Sequence, residues 1–173
     1  MDLNYGIIAF PSKKLQDLAN TYRKRYDPHF ALIRPHITLK DAFEADSVQF
    51  EEVKQKLETI ASRFAPLSIH ASRVSSFYPI TNAIYFRIQP TDQLAAIHAA
   101  IQDELNIGAD KHVFVPHITI AQKMTDTEHD DIFDQLRMIG VDEEEKIEEI
   151  HLAQQNEDNT WSITQSYKLT GAE

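Results

Sequence analysis

The spacing of apolar residues in the first half of the chain follows two patterns, one typical of helices and one typical of strands. The segments 13–26 and 48–64 carry apolar residues every three or four positions, which predicts two helices. The segments 5–10, 36–43 and 67–77 are continuously apolar or alternate with a period of two, which predicts strands. The first half therefore reads strand, helix, strand, helix, strand.

The second half repeats this order and adds a hairpin. Its predicted elements are a strand at 83–88, a helix at 92–105, a strand from 117, a helix at 128–138 and strands at 146–155 and 160–169. Ser47 is expected to cap the second helix, and Thr125 or Asp126 the fourth, because these residue types satisfy free amides at helix starts.

The run Pro-His-Ile-Thr occurs twice, in "RPHITLK" and in "VPHITIA". From Tyr5 to His36 is 31 residues, and from Ile84 to His117 is 33, so the two runs occupy the same place in the two halves. Matched spacing of matched elements predicts a duplicated unit.

We therefore expect an α+β fold made of two pseudo-symmetric lobes. The lobes correspond to residues 1–80 and 81–173, with antiparallel or mixed sheets facing a central groove and helices outside. No low-complexity linker separates the halves, so residues 1–173 are expected to form a single domain.

Composition restricts the partners of this domain. The chain has 27 acidic and 17 basic residues and a formal net charge of −10, which disfavours binding to extended nucleic acid. No apolar run has the length of a membrane span and the N-terminus does not resemble a signal peptide, so we expect a cytoplasmic protein without membrane contact. The acidic run 142–149 is interpreted as solvated surface. The absence of cysteine leaves oxygen and imidazole groups for chemistry.

Each repeated run places a histidine and a threonine on one face of a strand. His36 and Thr38 share a face, as do His117 and Thr119, because side chains alternate across a strand. The two residues of each pair could simply be a satisfied polar group and a β-branched strand former. A zinc site is a weaker alternative, because neither run carries a second ligand at a suitable spacing.

The paired faces suit cleavage of a phosphodiester without a metal. One neutral imidazole can remove a proton while the other, protonated, gives a proton to the leaving oxygen. Histidine has an unperturbed pKa near neutral pH, which fits both roles. The threonine hydroxyls can donate hydrogen bonds to the non-bridging oxygens as charge develops.

At these residues the sequence resembles the two-histidine phosphoesterase superfamily, which includes RNA 2',3'-cyclic phosphodiesterases and proteins named 2'-5' RNA ligases. Both His-x-Thr motifs of that family are intact, and the segment 5–30 looks like the N-terminal region of its YjcG-like branch. The resemblance implies that His36 is the proton donor and His117 the proton acceptor. It implies a small phosphodiester, nucleotide or RNA-end substrate and no cofactor or metal.

A non-catalytic protein that binds a nucleotide or an RNA end in the same groove is the alternative function. Two intact histidines favour the enzyme, since a pure binder has no chemical need for a paired acid and base.

Weaker candidates lie near the motifs. Lys40 and Lys123 could meet a phosphate, although a solvated lysine at a strand end is the commoner outcome. Tyr85 and Arg87 alternate away from apolar neighbours and could face the groove. Two aromatic residues in "SSFYP" at 75–79 could stack on a base, but core packing is expected first.

Overall fold

A computed structural model of the chain describes residues 2–108, 110 and 112–172, so both terminal residues of the predicted domain lie outside the described residues. The described helices are α1 (Lys13–Tyr26), α2 (Ser47–Arg63), α3 (Asp92–Leu105) and α4 (Asp126–Leu136). The described strands are β1 (Leu3–Ala9), β2 (Ile37–Ala45), β3 (Leu67–Ser76), β4 (Ile84–Ile88), β5 (His117–Ala121), β6 (Glu143–Ile147), β7 (Glu149–Gln155) and β8 (Trp161–Lys168).

The helices begin at residues that satisfy their first free amides. The cap of α2 is Asp46, one residue before the predicted Ser47, and its carboxylate accepts the Gln49 amide at 2.8 Å. Thr125 caps α4, as one of the two predicted alternatives, and its hydroxyl accepts the Glu128 amide at 3.2 Å.

The strands form two antiparallel sheets of four strands each, in the orders β2-β1-β7-β8 and β5-β4-β3-β6. In each sheet the strand that follows a Pro-His pair lies at one edge and pairs with the first strand of its own half. The predicted α+β class with two similar sheets is confirmed, and neither sheet contains a parallel pair.

The boundary near residue 80 does not separate the two sheets. β3 belongs to the first half of the chain but pairs with β4 and β6, whereas β7 belongs to the second half and pairs with β1. Helices cross over as well, because α1 packs against β5 and α3 packs against β2. Each sheet therefore contains strands from both halves of the chain.

The predicted strand at 146–155 is wrong as a single element. The structure has β6 in one sheet and β7 in the other, with the change at Glu148. The apolar residues on either side bury into different sheets, Ile147 against β3 and Ile150 between β1 and β8. A continuous alternation in sequence does not reveal that the chain changes sheets.

The acidic run is also less solvated than expected. Glu145 is half-buried and accepts hydrogen bonds from the backbone amide and the hydroxyl of Ser12, each at 2.6 Å. Lys14 forms an ion pair with Glu143 at 3.1 Å. These contacts attach β6 to the start of α1.

The core lies on the helix-facing sides of the sheets. Ile37 and Leu39 of β2 are 1% exposed, and Ile118 and Ile120 of β5 are fully buried. Burying side chains of this size contributes on the order of 2 kcal/mol each, and this fixes which face of each strand turns outward. Within the described part of the chain, no helix is long and apolar enough to span a membrane.

Candidate active site

The two repeated histidines occupy corresponding places at the edges of the two sheets. His36 immediately precedes β2, and His117 is the first residue of β5. Both rings are half-buried, and each lies on the strand face opposite the buried isoleucine and leucine side chains. A proline before each histidine disfavours a helical backbone in the preceding residue and leaves no amide to pair there.

Both imidazoles are oriented by the same local hydrogen bond. Nδ1 of His36 lies 2.7 Å from the carbonyl oxygen of Arg34, and Nδ1 of His117 lies 2.6 Å from the carbonyl oxygen of Val115. A carbonyl can only accept, so Nδ1 carries the proton in each ring. The neutral tautomer therefore leaves a lone pair on Nε2, and neither Nε2 has a hydrogen-bond partner among the described residues.

The two threonines face the groove beside these rings. Thr38 and Thr119 are half-buried and line one cavity of about 410 Å³, together with His36. Neither hydroxyl has a hydrogen bond among the described residues, so both can donate to a ligand. His117 is not among the residues that line this cavity, and its ring contacts Phe77 and Tyr85 at centroid distances of 4.9 and 5.2 Å.

Burial lowers the pKa of His36 to about 4. The hydrogen bond to the Arg34 carbonyl raises the pKa, whereas the positive charges of Arg23 and of protonated His117 lower it further. His36 is therefore neutral at pH 7.

His117 also has a lowered pKa, chiefly because burial disfavours the charged ring. Its hydrogen bond to the Val115 carbonyl and the nearby negative charge of Asp41 oppose this effect. The two rings thus have different charged neighbours, since the charges of Arg23 and Asp27 act on the pKa of His36 and that of Asp41 acts on the pKa of His117.

Of the two lysines proposed as phosphate contacts, Lys40 lines the same cavity as His36 and Thr38 but has protein partners for its ammonium, and Lys123 does not line it. Lys40 is 1% exposed, and its ammonium donates to Gln102 Oε1 at 3.0 Å and to the Gly108 carbonyl at 2.8 Å. An irregularity in the pairing of β1 with β2 interrupts the alternation, so that Leu39 and Lys40 are both buried. Lys123 lies beyond the end of β5, is exposed, and has a positive φ of 62°.

The aromatic and arginine candidates lie near His117. Tyr85 is buried under Phe77, with the ring centroids 4.2 Å apart. Tyr78 is 48% exposed and stacks on His129 at 5.1 Å, so only one of the two aromatics of "SSFYP" packs inward. Arg87 is half-buried and lies directly opposite His117 in the β4–β5 pairing.

A buried polar cluster beside Thr119 was not anticipated. Arg23 donates to the Asp27 carboxylate at 3.2 Å and to the Ile33 carbonyl at 2.6 Å. Gln122 Nε2, from the end of β5, donates to Asp27 Oδ1 at 2.9 Å, which ties the segment before β2 to the other sheet. The i,i+4 spacing of Arg23 and Asp27 was the available signal, but their burial depends on tertiary contacts.

Comparisons with known proteins identify the family of this chain. The family model for the "2'-5' RNA ligase superfamily" matches residues 10–159, and the chain belongs to this family. No cluster of three or more metal-ligating side chains occurs among the described residues.

One sequence relative and two solved structures match nearly the full length of this chain. A protein of Geobacillus kaustophilus named "Putative phosphoesterase" is 42% identical over 171 residues, covering 99% of both chains. Crystal structures of Escherichia coli LigT complexed with 3'-AMP and of the Thermus thermophilus protein TT0787 superpose with TM-scores of 0.69 and 0.71. These two structures cover 98% and 99% of this chain and 99% and 100% of their own, at 12% and 14% identity, so the likeness shows the fold.

Proposed function

We propose that this protein is a phosphoesterase that cleaves a small phosphodiester, or opens a 2',3'-cyclic phosphate on a nucleotide or RNA end, without a metal. One observation carries the proposal. Two imidazoles with Nδ1 bound to a carbonyl and Nε2 unpaired among the described residues lie at equivalent edges of two sheets, each with a free threonine hydroxyl two residues on. This is the set of groups that paired acid and base catalysis requires.

In the proposed reaction, Nε2 of His117 takes a proton from the attacking water while the water oxygen forms a bond to phosphorus. The bond from phosphorus to the leaving ribose oxygen breaks, and Nε2–H of His36 gives that oxygen its proton. The nearby Asp41 carboxylate raises the pKa of His117, which favours its role as the base. Two proton transfers in opposite directions leave the net protonation of the pair unchanged.

The hydroxyls of Thr38 and Thr119 act on the phosphate itself. Each donates a hydrogen bond to a non-bridging oxygen, and these bonds strengthen as negative charge grows in the transition state. Their free hydroxyls and their shared cavity support this role.

An acid must be protonated before it can donate, and burial keeps His36 neutral at pH 7. A bound phosphodiester carries a negative charge, which raises the pKa of an adjacent imidazole. Substrate binding therefore brings the proton to His36 at the moment when it is needed. A low pKa also makes protonated His36 a strong donor.

Relatives support the substrate class. LigT has been crystallised with 3'-AMP and with phosphate, and long relatives carry the name "Putative phosphoesterase". The 3'-AMP complex of a protein with the same fold makes a nucleotide phosphodiester the natural first substrate to test with this chain.

The test is turnover of 2',3'-cyclic nucleotides by four variants. His36→Ala and His117→Ala should each lose roughly a hundredfold to ten-thousandfold in kcat. Thr38→Val and Thr119→Val should lose about tenfold to a thousandfold, because each removes one hydrogen bond and keeps the side-chain shape.

His112→Ala is the matched control, since it removes an exposed imidazole outside the cavity. Circular dichroism must show that all variants are folded. Wild-type turnover in both histidine variants would refute the enzyme.

The low pKa of His36 also favours a second candidate, a protein that only binds nucleotides or RNA ends. A binder has no need of a protonated imidazole, and with a pKa of about 4 His36 is neutral at pH 7. Tight binding of 3'-AMP without turnover of any cyclic or linear diester would support this candidate over the enzyme.

A further inference from the structure

A row of three cationic or titratable side chains crosses the second sheet. In the pairing of β4 with β5, Arg87 lies directly opposite His117, and in the pairing of β3 with β4, Arg73 lies directly opposite Arg87. Residues directly opposite one another in a sheet point to the same face. The row His117–Arg87–Arg73 therefore lies on the groove face of this sheet.

The spacing of the row follows from the sheet. Neighbouring strands are about 4.8 Å apart, so Arg87 is one spacing and Arg73 two spacings from His117, roughly 10 Å in all. The neighbouring row on the same face, formed by Thr119, Tyr85 and Ser75, carries no charge. Arg87 and Arg73 thus continue a line that begins at a candidate catalytic histidine.

Neither arginine of the row has a carboxylate partner among the described residues. Arg87 Nη1 donates to the neutral oxygens Gln89 Oε1 at 2.7 Å and Ser72 Oγ at 3.4 Å, and Arg73 is exposed. By contrast, Arg23 and Arg63 both form ion pairs with carboxylates. Arg25 and Arg34 also lack a carboxylate partner among the described residues. Alignment with His117, rather than a missing partner, therefore distinguishes Arg87 and Arg73.

The cavity and the arginine row lie on different sheets. Most of its lining comes from the first sheet and from the segment before β2, where Gly6, Ile8 and Trp161 offer apolar surface for a nucleoside. Arg73 and Arg87 lie outside the cavity lining, on the side of His117. If the nucleoside of the substrate binds in the cavity, its phosphate groups are the part that can contact the second sheet.

We propose that Arg87 and Arg73 form a second phosphate site, so that the substrate carries another phosphate group next to the one between the histidines. This inference rests on the proposed function, because it assumes that the histidines bracket the first phosphate. Planar guanidinium groups bind phosphate oxygens through paired hydrogen bonds. The second phosphate can be the 5'-phosphate of a mononucleotide or the internucleotide phosphate of an RNA end.

Binding of three nucleotides separates these cases. The protein has one tryptophan, Trp161, and it lines the cavity, so its fluorescence reports occupancy without any turnover. The probes are adenosine 3'-monophosphate, adenosine 3',5'-bisphosphate and the dinucleotide ApAp with a 3'-phosphate. At low salt we expect wild type to bind at least one doubly phosphorylated probe about tenfold or more tightly than the monophosphate, and less so as salt rises.

Substitutions of the two arginines test whether they cause the tighter binding of the doubly phosphorylated probes, which is called the advantage below. Arg87→Gln with Arg73→Gln should reduce the advantage to about twofold or less and leave the monophosphate affinity nearly unchanged. Arg87→Lys with Arg73→Lys keeps the charges and should retain part of the advantage. Arg137→Gln, which removes one positive charge at the end of α4 that pairs with Asp134, should leave the advantage intact. Equal thermal melting of all variants shows that the fold is preserved.

The outcomes distinguish this site from the proposed function. An advantage for ApAp alone indicates an RNA end, and an advantage for the bisphosphate alone indicates a mononucleotide. If wild type shows no advantage for either probe, binds neither, or keeps its advantage in the glutamine double variant, the second site is refuted. Failure of the proposed function appears differently, as the absence of hydrolysis of cyclic diesters by a protein that still binds the probes.

Discussion

Lowering the pH should destabilise this protein through His36. The folded pKa of this ring is about 4, whereas an unfolded histidine titrates near 6.5. Between these values the unfolded chain binds more protons than the folded one, so the free energy of unfolding falls as the pH falls. The contribution of neutral His36 is fully present above about pH 6.5 and is lost progressively toward pH 4.

The size of the effect follows from the same two values. Between pH 7 and pH 4.5 the linkage amounts to roughly 2 kcal/mol for a shift of this size. Because the ring is only half-buried, solvent screening reduces the figure, and we expect about 1 to 2 kcal/mol.

The assay is urea unfolding of wild type and His36→Asn at several pH values from 7 to 4.5. Asparagine does not titrate, and its side-chain amide can still donate to the Arg34 carbonyl. Wild type should lose about 1 to 2 kcal/mol more than the variant over this range, and His112→Asn should follow wild type. Parallel stability curves for wild type and His36→Asn would refute the lowered pKa, and with it the argument that an anion must bring the proton to His36.

Other predictions follow from the site and its supports. Affinity for inorganic phosphate should rise as the pH falls from 7 to 5 in wild type but not in His36→Asn, as measured by calorimetry, because the anion and the proton bind together. Hydrolysis of cyclic nucleotides should persist in excess chelator, whereas loss that zinc or manganese restores would show that the histidines are ligands. Asp27→Asn should lower the free energy of unfolding by about 3 kcal/mol, since Arg23 would be left buried without its carboxylate; an unchanged urea midpoint would contradict this. Lys40→Met should cost about 1 to 3 kcal/mol by orphaning its buried acceptors, yet leave kcat within about threefold, and a hundredfold loss would show that the ammonium acts on phosphate.

The sequence by itself determined the elements and the motif faces. Periodicity located the four helices and most of the strands, because burial of an apolar face imposes a period of 3.6 on helices and 2 on strands. The two Pro-His-Ile-Thr runs also fixed which side chains share a face. Once Ile37 and Ile118 are buried, His36 and His117 must point to the opposite side.

Tertiary structure decided how the two halves combine. The exchange of β3 and β7 between sheets, and the division of 146–155 into β6 and β7, depend on which partner strands are available, and alternation within one segment carries no such information. Lys40 illustrates the same limit, because a local irregularity in the β1–β2 pairing buries it in the wall of the cavity, where its ammonium donates to Gln102.

The charges that surround each site residue also depend on the tertiary structure. The pKa of His36 reflects burial and the approach of Arg23, which lies on a different element. The row from His117 to Arg73 joins residues 44 positions apart in sequence through strand pairing alone. Sequence thus specifies side chains and their local faces, whereas charge environment depends on distances between segments that only packing brings together.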